Sequence, residues 1–174
     1  MLRYADGPTA EVGVEIAAPP ESVWALVTDI NLPARFSDEF AGAEWLDDAG
    51  PALGARFLGR NEHPSGSAWE TTSTVIWFDP NRTFGYAVND VDDPAARWRF
   101  DLAPSDAGTK LTMWAQMGPG RSGVSYLIYK NPDREQEIIA RRLAEWRSNM
   151  EATVAGIKTC LLYTSDAADD YFWV

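Results

Sequence analysis

Apolar residues recur at Ile139, Leu143, Trp146, Met150, Thr153/Val154 and Ile157, three and four positions apart, while Glu135, Arg141, Arg142, Glu145, Arg147 and Glu151 hold the other side. That stripe predicts a long amphipathic helix over residues 131–158. Asn131 suits the N-cap and Pro132 the first helical position, and Asp133 and Glu135 put negative charge at the positive end of the helix dipole. One side of this helix must lie on something apolar.

Upstream, the period changes from helical to two. Val12, Val14 and Ile16 alternate with Glu11, Gly13 and Glu15, which predicts a half-buried strand over 9–16. Pro19-Pro20 ends it and opens a short helix through Val27, with Val23, Trp24 and Val27 available for burial. Residues 29–40 contain Pro33 and predict a turn and a second short helix whose apolar side is Leu32, Phe36 and Phe40. Strand-like runs follow at 42–46, 55–62, 69–78, 83–88, 97–102 and 110–117, separated by turn-forming segments such as 47–51, 63–67 and 79–82. In the sharpest of these runs Trp98, Phe100 and Leu102 face one way; in the last, Leu111, Met113, Ala115 and Met117 share a face. Residues 122–130 predict a further helical turn or two before the long helix.

Short connections between consecutive strands make an antiparallel sheet with one wet face. The expected fold is therefore α+β: a curved antiparallel sheet of about seven strands wrapped around a long C-terminal helix, with two short helices after the first strand. A single domain over 9–158 accounts for the whole pattern. A curved sheet and one helix do not close fully on each other, so a cavity between them is the expected functional site.

Composition narrows the function classes. A formal charge of -11 over 174 residues disfavours non-specific nucleic-acid binding and docking on an anionic membrane, both of which rest on Lys and Arg. The chain opens on no basic-then-apolar leader and holds no apolar run of membrane-spanning length, which leads to the expectation of a cytoplasmic protein without integral membrane association, a monomer or weak homodimer. One Cys excludes an internal disulfide framework, and one His leaves a zinc site to be built largely from carboxylates, so neither metal nor cofactor is expected.

No GxSxG elbow, phosphate-binding glycine loop or HExxH helix is present. His63, before Pro64 at a hairpin end, reads as an exposed turn histidine or, if its loop folds over a cavity mouth, as a base. Glu70 lies beside Trp69 at the start of a strand, and Asn61, Thr71 and Ser73 share the concave face with Phe57 or belong to the wet face; strand phase decides between the two. Glu70, Asn61 and His63 are thus the catalytic candidates. The expected chamber residues are Trp98 and Phe100, with Met113 and Met117 beside them, and Leu143, Trp146 and Met150 pointing from the helix as lining or plug. Phe36 and Phe40 are placed near the entrance.

The element order, the opening VGVEIAAPPESVWALVTDINLPARFSDEF, the stretch WETTSTVIWFDPNRTFGYAV and the terminal helix resemble the helix-grip superfamily (SRPBCC, START-like). Within it the likeness is greatest to bacterial polyketide cyclase/dehydrase-like, lipid-transport-type proteins, over roughly residues 11–158. The most specific piece is APPESVWALVTDINLPARF, which marks the scaffold rather than the chemistry. The resemblance implies a carrier of a hydrophobic small molecule such as a polyketide, lipid, sterol or quinone. It equally admits a cyclase, aromatase or dehydratase that works through polar cavity residues, or a protein-partner modulator.

Past Lys158 the text changes character. CLLYTSDAADD interrupts the stripe and resembles one reading frame of a sequencing adapter, so residues 159–174 are expected to be non-native read-through; the competing reading is a genuine tail packed on a neighbour.

Overall fold

The computed structural model describes the backbone of residues 1–169 and the side chains of residues 1–162. The period-two runs become β1 (Thr9–Ile16), β2 (Phe40–Trp45), β3 (Arg56–Glu62), β4 (Ala68–Asp79), β5 (Thr83–Val88), β6 (Ala96–Ser105) and β7 (Gly108–Met117). They form one seven-stranded sheet in the order β1-β7-β6-β5-β4-β3-β2, antiparallel throughout. Six strands make a meander, and the first strand returns to pair with the last, Val12 opposite Met113. The first two strands of the chain therefore stand at opposite edges. Helix α1 (Pro20–Val27) and a 3-10 turn (Leu32–Arg35) carry the chain between those edges. This is the helix-grip architecture.

Helix α3 (Glu135–Asp169) closes the concave side, packing along β1 and β7. Every member of its apolar stripe, Ile139, Leu143, Trp146, Met150, Thr153, Val154 and Ile157, is buried. The hydrophobic effect drives this packing, since each fully buried large apolar side chain contributes roughly 1.5–3 kcal/mol relative to exposure. Phe84, Leu111 and Ile16 of the sheet are buried in the same core.

Several boundaries differ from the sequence reading. Asn131 does not cap the long helix: its backbone, at φ -139° and ψ 64°, ends α2 (Gly123–Lys130). Residues Pro132–Arg134 then form a 3-10 turn, and α3 begins at Glu135. Helix α2 is anchored by a reciprocal cap, with Ser125 N donating to Ser122 Oγ (3.1 Å) and Ser122 N donating to Ser125 Oγ (2.8 Å). The second short helix is a single 3-10 turn ending at Arg35, so Phe36 follows it and Phe40 opens β2 instead of lying on a helix.

Helix α3 also continues past Lys158. Leu161 packs against the core, and Thr159 Oγ1 donates to Ala155 O at 3.0 Å, so the helical backbone does not stop where the apolar stripe does. The terminal aromatics Tyr171, Phe172 and Trp173 lie outside the described residues. No helix among the described residues is long and apolar enough to cross a membrane.

Candidate functional site

Between the concave face of the sheet and helices α2 and α3 lies a cavity of about 950 Å³. Strand alternation selects its wall. On β3 the inward positions are Phe57, Gly59 and Asn61, and the register places Gly59 opposite Thr71 and Phe57 opposite Ser73 on β4. The row continues through Tyr86 and Val88 on β5, Trp98 on β6, and Met113 and Met117 on β7. From the other side come Trp146, Asn149, Met150 and Thr153 of α3, with Val124, Tyr126 and Leu127 of α2.

The wall is an aromatic network with edges turned to faces. Trp98 and Trp146 bring sheet and helix together with ring centroids 4.7 Å apart and planes tilted by 51°. Phe57 meets Tyr86 at 4.9 Å and Trp45 at 5.5 Å, both edge-on. Such pairs contribute about 0.5–1.5 kcal/mol beyond their buried area, which fixes the shape of the chamber. At Gly59 a Cβ would stand 3.3 Å from Phe40 Cε2, so the missing side chain lets the Phe40 ring lie against the sheet at the cavity edge.

Four neutral polar side chains, Asn61, Thr71, Ser73 and Tyr86, face this apolar space from adjoining strands, and among the described residues none of them has a protein hydrogen-bond partner. Burial pushes the Tyr86 phenol far above its ordinary value, so it stays protonated and can donate. A chamber with greasy walls and a few unpaired donors and acceptors on one side is suited to an uncharged ligand that carries carbonyl or hydroxyl groups along one edge.

The structure distributes the sequence-predicted residues among different surroundings. Asn61, Thr71, Ser73, Phe57, Phe40, Trp98, Met113, Met117, Trp146 and Met150 meet at the cavity. Phe100 and Leu143 point the same way but are sealed in the core, beyond the cavity wall. Phe36 is elsewhere: its ring packs on α3 at Gly156, where a Cβ would come within 2.5 Å of it, with the Arg35 guanidinium 5.5 Å from the ring centre. Glu70 borders the cavity through β4, yet its carboxylate is exposed and pairs with Arg60 at 3.4 Å. Alternation puts that pair on the sheet face opposite Asn61, Thr71 and Ser73, which removes Glu70 as a chamber acid. Tyr86 escaped the sequence reading. It pairs with Trp98 across β5 and β6, so the phase of Trp98 was the signal that assigns it inward.

One end of the cavity is occupied by charge. Arg142 donates to both Glu39 carboxylate oxygens, through Nη1 at 2.7 Å and Nη2 at 2.5 Å, and Nη1 also donates to Glu145 Oε2 at 2.9 Å. His63 Nε2 lies 3.6 Å from Glu145 Oε2. The helical spacing of Arg142 and Glu145, three residues apart, directs both to the same side. These two were assigned to the solvent face on charge alone, but their side chains are only 18% and 29% exposed. His63 is likewise no free turn histidine, since its loop folds over the mouth.

Glu39, His63 and Glu145 have donor atoms within 4.8 Å of one another, the dimensions of a cation site. Their hydrogen bonding does not fit one. Ser65 N donates to His63 Nδ1 at 3.1 Å, which leaves the neutral ring's proton on Nε2, the nitrogen a metal would need bare. The Arg142 guanidinium also already satisfies both carboxylates.

The chain matches the family model for polyketide cyclase / dehydrase and lipid transport over residues 8–131. No curated protein matches it. A polyketide-cyclase-like protein of Corynebacterium glutamicum is 35% identical in sequence, with a TM-score of 0.63 over 95% of this chain and 97% of that one. A Mesorhizobium loti protein is 22% identical, TM-score 0.59, over 90% and 98% of the two chains. The di-domain ARO/CYC StfQ from the steffimycin biosynthetic pathway is 14% identical with a TM-score of 0.65, over 87% of this chain and 49% of that one; these last two likenesses concern the fold. The family match and the Corynebacterium relative together cover the strands and helices that build the cavity, and the chain belongs to the polyketide cyclase / dehydrase and lipid transport family.

Proposed function

We propose that this protein binds an uncharged hydrophobic small molecule, of polyketide, lipid, sterol or quinone type, between the curved sheet and α3. The observation that carries the reading is the row of unpartnered neutral polar groups, Asn61, Thr71, Ser73 and Tyr86, set among aromatic and aliphatic side chains in a chamber of about 950 Å³ whose charged groups lie paired at its border. Such a volume holds a drug-sized ligand. Binding costs little preparation there, because the chamber is already formed and its donors already face inward.

Acid-base chemistry has less support. Each carboxylate bordering the cavity is paired with an arginine: Glu39 and Glu145 with Arg142, Glu137 with Arg134, and Glu70 with Arg60. Arg134 and Arg142 hold the Glu137 and Glu145 carboxyls below the usual carboxylate range, which makes these two poor proton donors near neutrality. In the same proposal residues 9–158 form the working domain, which acts as a cytoplasmic monomer or weak homodimer without cofactor, metal or nucleic acid, and residues 159–174 contribute nothing to the site.

The test is a thermal-shift panel of neutral polyketides, sterols, quinones and fatty alcohols. Stabilisation by at least one class, reduced in Tyr86→Phe and Trp98→Ala, is expected. A panel without any stabilising ligand overturns binding, and turnover of a poly-β-keto substrate that depends on Tyr86 replaces passive carriage with catalysis.

A further inference from the structure

Behind the charged end of the cavity lies a second, shallower cleft of about 620 Å³, bordered by Ala34, Ser37, Asp38, Phe40, Glu62 and Pro64 among others. Ser37, Glu39, Phe40 and His63 border both spaces. Glu39 and His63 thus stand between the ligand chamber and a solvent-facing cleft, and Arg142 and Glu145 hold them from the chamber side.

Two chain segments make up the moving side of that boundary: residues 37–40, which lead into β2, and the β3–β4 hairpin at 63–67. They are tied to each other by Glu62 N donating to Glu39 O at 2.8 Å. Across the mouth they hold α3 through polar groups: Glu39 to Arg142, His63 to Glu145, and Asp38 N to Asn149 Oδ1 at 3.1 Å. Next to the first segment the β2–β3 register slips between Phe40 and Gly42, and Gly42 sits at φ +140°, a conformation that costs other residues strain. A polar clasp beside an irregular strand end can open at small apolar cost, because most of what is released is charge that water resolvates, while the Phe40 ring on Gly59 is the apolar contact next to the hinge.

We propose that this clasp is the door of the chamber: ligand passes between cavity and outer cleft when Glu39 and His63 swing away from Arg142 and Glu145. The proposal rests on the ligand-binding reading above and adds the route and the residues that time it. Arg142 is the pivot, since it alone bridges both carboxylates. Its position is fixed on α3, so the 37–40 and 63–67 segments move and the helix stays.

The experiment uses the full chain and the neutral fluorescent probe N-phenyl-1-naphthylamine in stopped flow, with Glu39→Gln, Arg142→Gln, the swap Glu39→Arg/Arg142→Glu, and Glu44→Gln as an outer-face control. Opening the clasp is expected to raise probe association and dissociation rates together by about tenfold while the equilibrium constant stays within a few-fold, as a gate requires. The swap restores slow exchange, and Glu44→Gln changes nothing. Unaltered rates in both single variants, or a loss of affinity carried by dissociation alone, overturn the door. Amide hydrogen exchange of residues 37–40 and 63–67 provides a ligand-free readout: it is faster in Arg142→Gln if the clasp holds these segments. If the wild-type chain takes up neither the probe nor any panel ligand, the binding reading fails by itself, and unchanged exchange protection in Arg142→Gln separately overturns the clasp.

Discussion

The indoles of Trp98 on β6 and Trp146 on α3 meet with centroids 4.7 Å apart, and among the described residues theirs is the one aromatic pair that joins the sheet to the long helix across the chamber. Their burial differs. Trp146 is 7% exposed and wedged into the core, while Trp98 is half-buried and presents the rest of its face to the cavity. Replacing Trp146 by Ala should therefore cost about 3–5 kcal/mol of stability, the range for deleting a buried large aromatic. Trp98→Ala should cost less and weaken ligand binding instead. Urea midpoints alongside ligand titrations separate the two, and equal stability losses with equal affinities would contradict this division of labour.

Tyr86 offers a cleaner dissection, because its hydroxyl has no protein partner to orphan. Tyr86→Phe should leave stability nearly unchanged, whereas the loss of a buried hydrogen bond to a ligand carbonyl costs about 1–3 kcal/mol of binding. A hydrocarbon ligand without oxygen should bind both forms alike. The same burial opposes the phenol's ionisation, so its folded pKa lies above the unfolded one. The resulting stability is complete below the ordinary tyrosine value and is lost as pH rises above it. Burial raises the Tyr4 phenol as well, so a spectroscopic alkaline titration should show one fewer late-ionising tyrosine in Tyr86→Phe than in the wild type.

Glu70→Gln tests the outward assignment. An exposed pair such as Arg60–Glu70 contributes about 0–1 kcal/mol, so both stability and ligand affinity should change within that range. A large affinity loss, measured by calorimetry, would return Glu70 to the chamber.

How much of this was legible beforehand follows from what each residue's role depends on. The stripe from Ile139 to Ile157 states its own burial, because helical periodicity depends only on local sequence. The strands follow from turn residues and from the phase of runs such as Arg97 to Leu102, whereas the return of β1 to pair with β7 has no local signal. Thr71 and Ser73 were ambiguous, since β4 has apolar residues on both faces and its phase is set by pairing with Phe57 and Gly59 on β3, which sequence does not display. Arg142 and Glu145 were hidden for a different reason. They read as a solvated helix face, and only the fold of two distant loops brings Glu39 and His63 to them. Phe36 misled because apolarity is common to core and cavity alike, and the glycine that receives its ring lies 120 positions further along the chain.

Glu145 gives the door a pH signature. Burial alone would raise its carboxyl, but hydrogen bonding and charge from Arg142, aided by His63 and Arg141, outweigh burial and hold it below the usual carboxylate range. A depressed folded value means that this carboxylate stabilises the closed, folded state at neutral pH. The contribution is complete above the ordinary value of 4.5 and disappears as pH falls through the lower folded one. Glu145→Gln should therefore be less stable than wild type at pH 7, and the gap in melting temperature should narrow as pH drops below about 4.5. In Arg142→Gln the main group that depresses the carboxyl is gone and burial is left to raise it, so the gap produced by adding Glu145→Gln to that background should no longer narrow as pH falls. Melting curves from pH 7 to pH 3 on all four proteins complete the cycle. A wild-type gap that stays constant across that range would show that Glu145 is not held by Arg142.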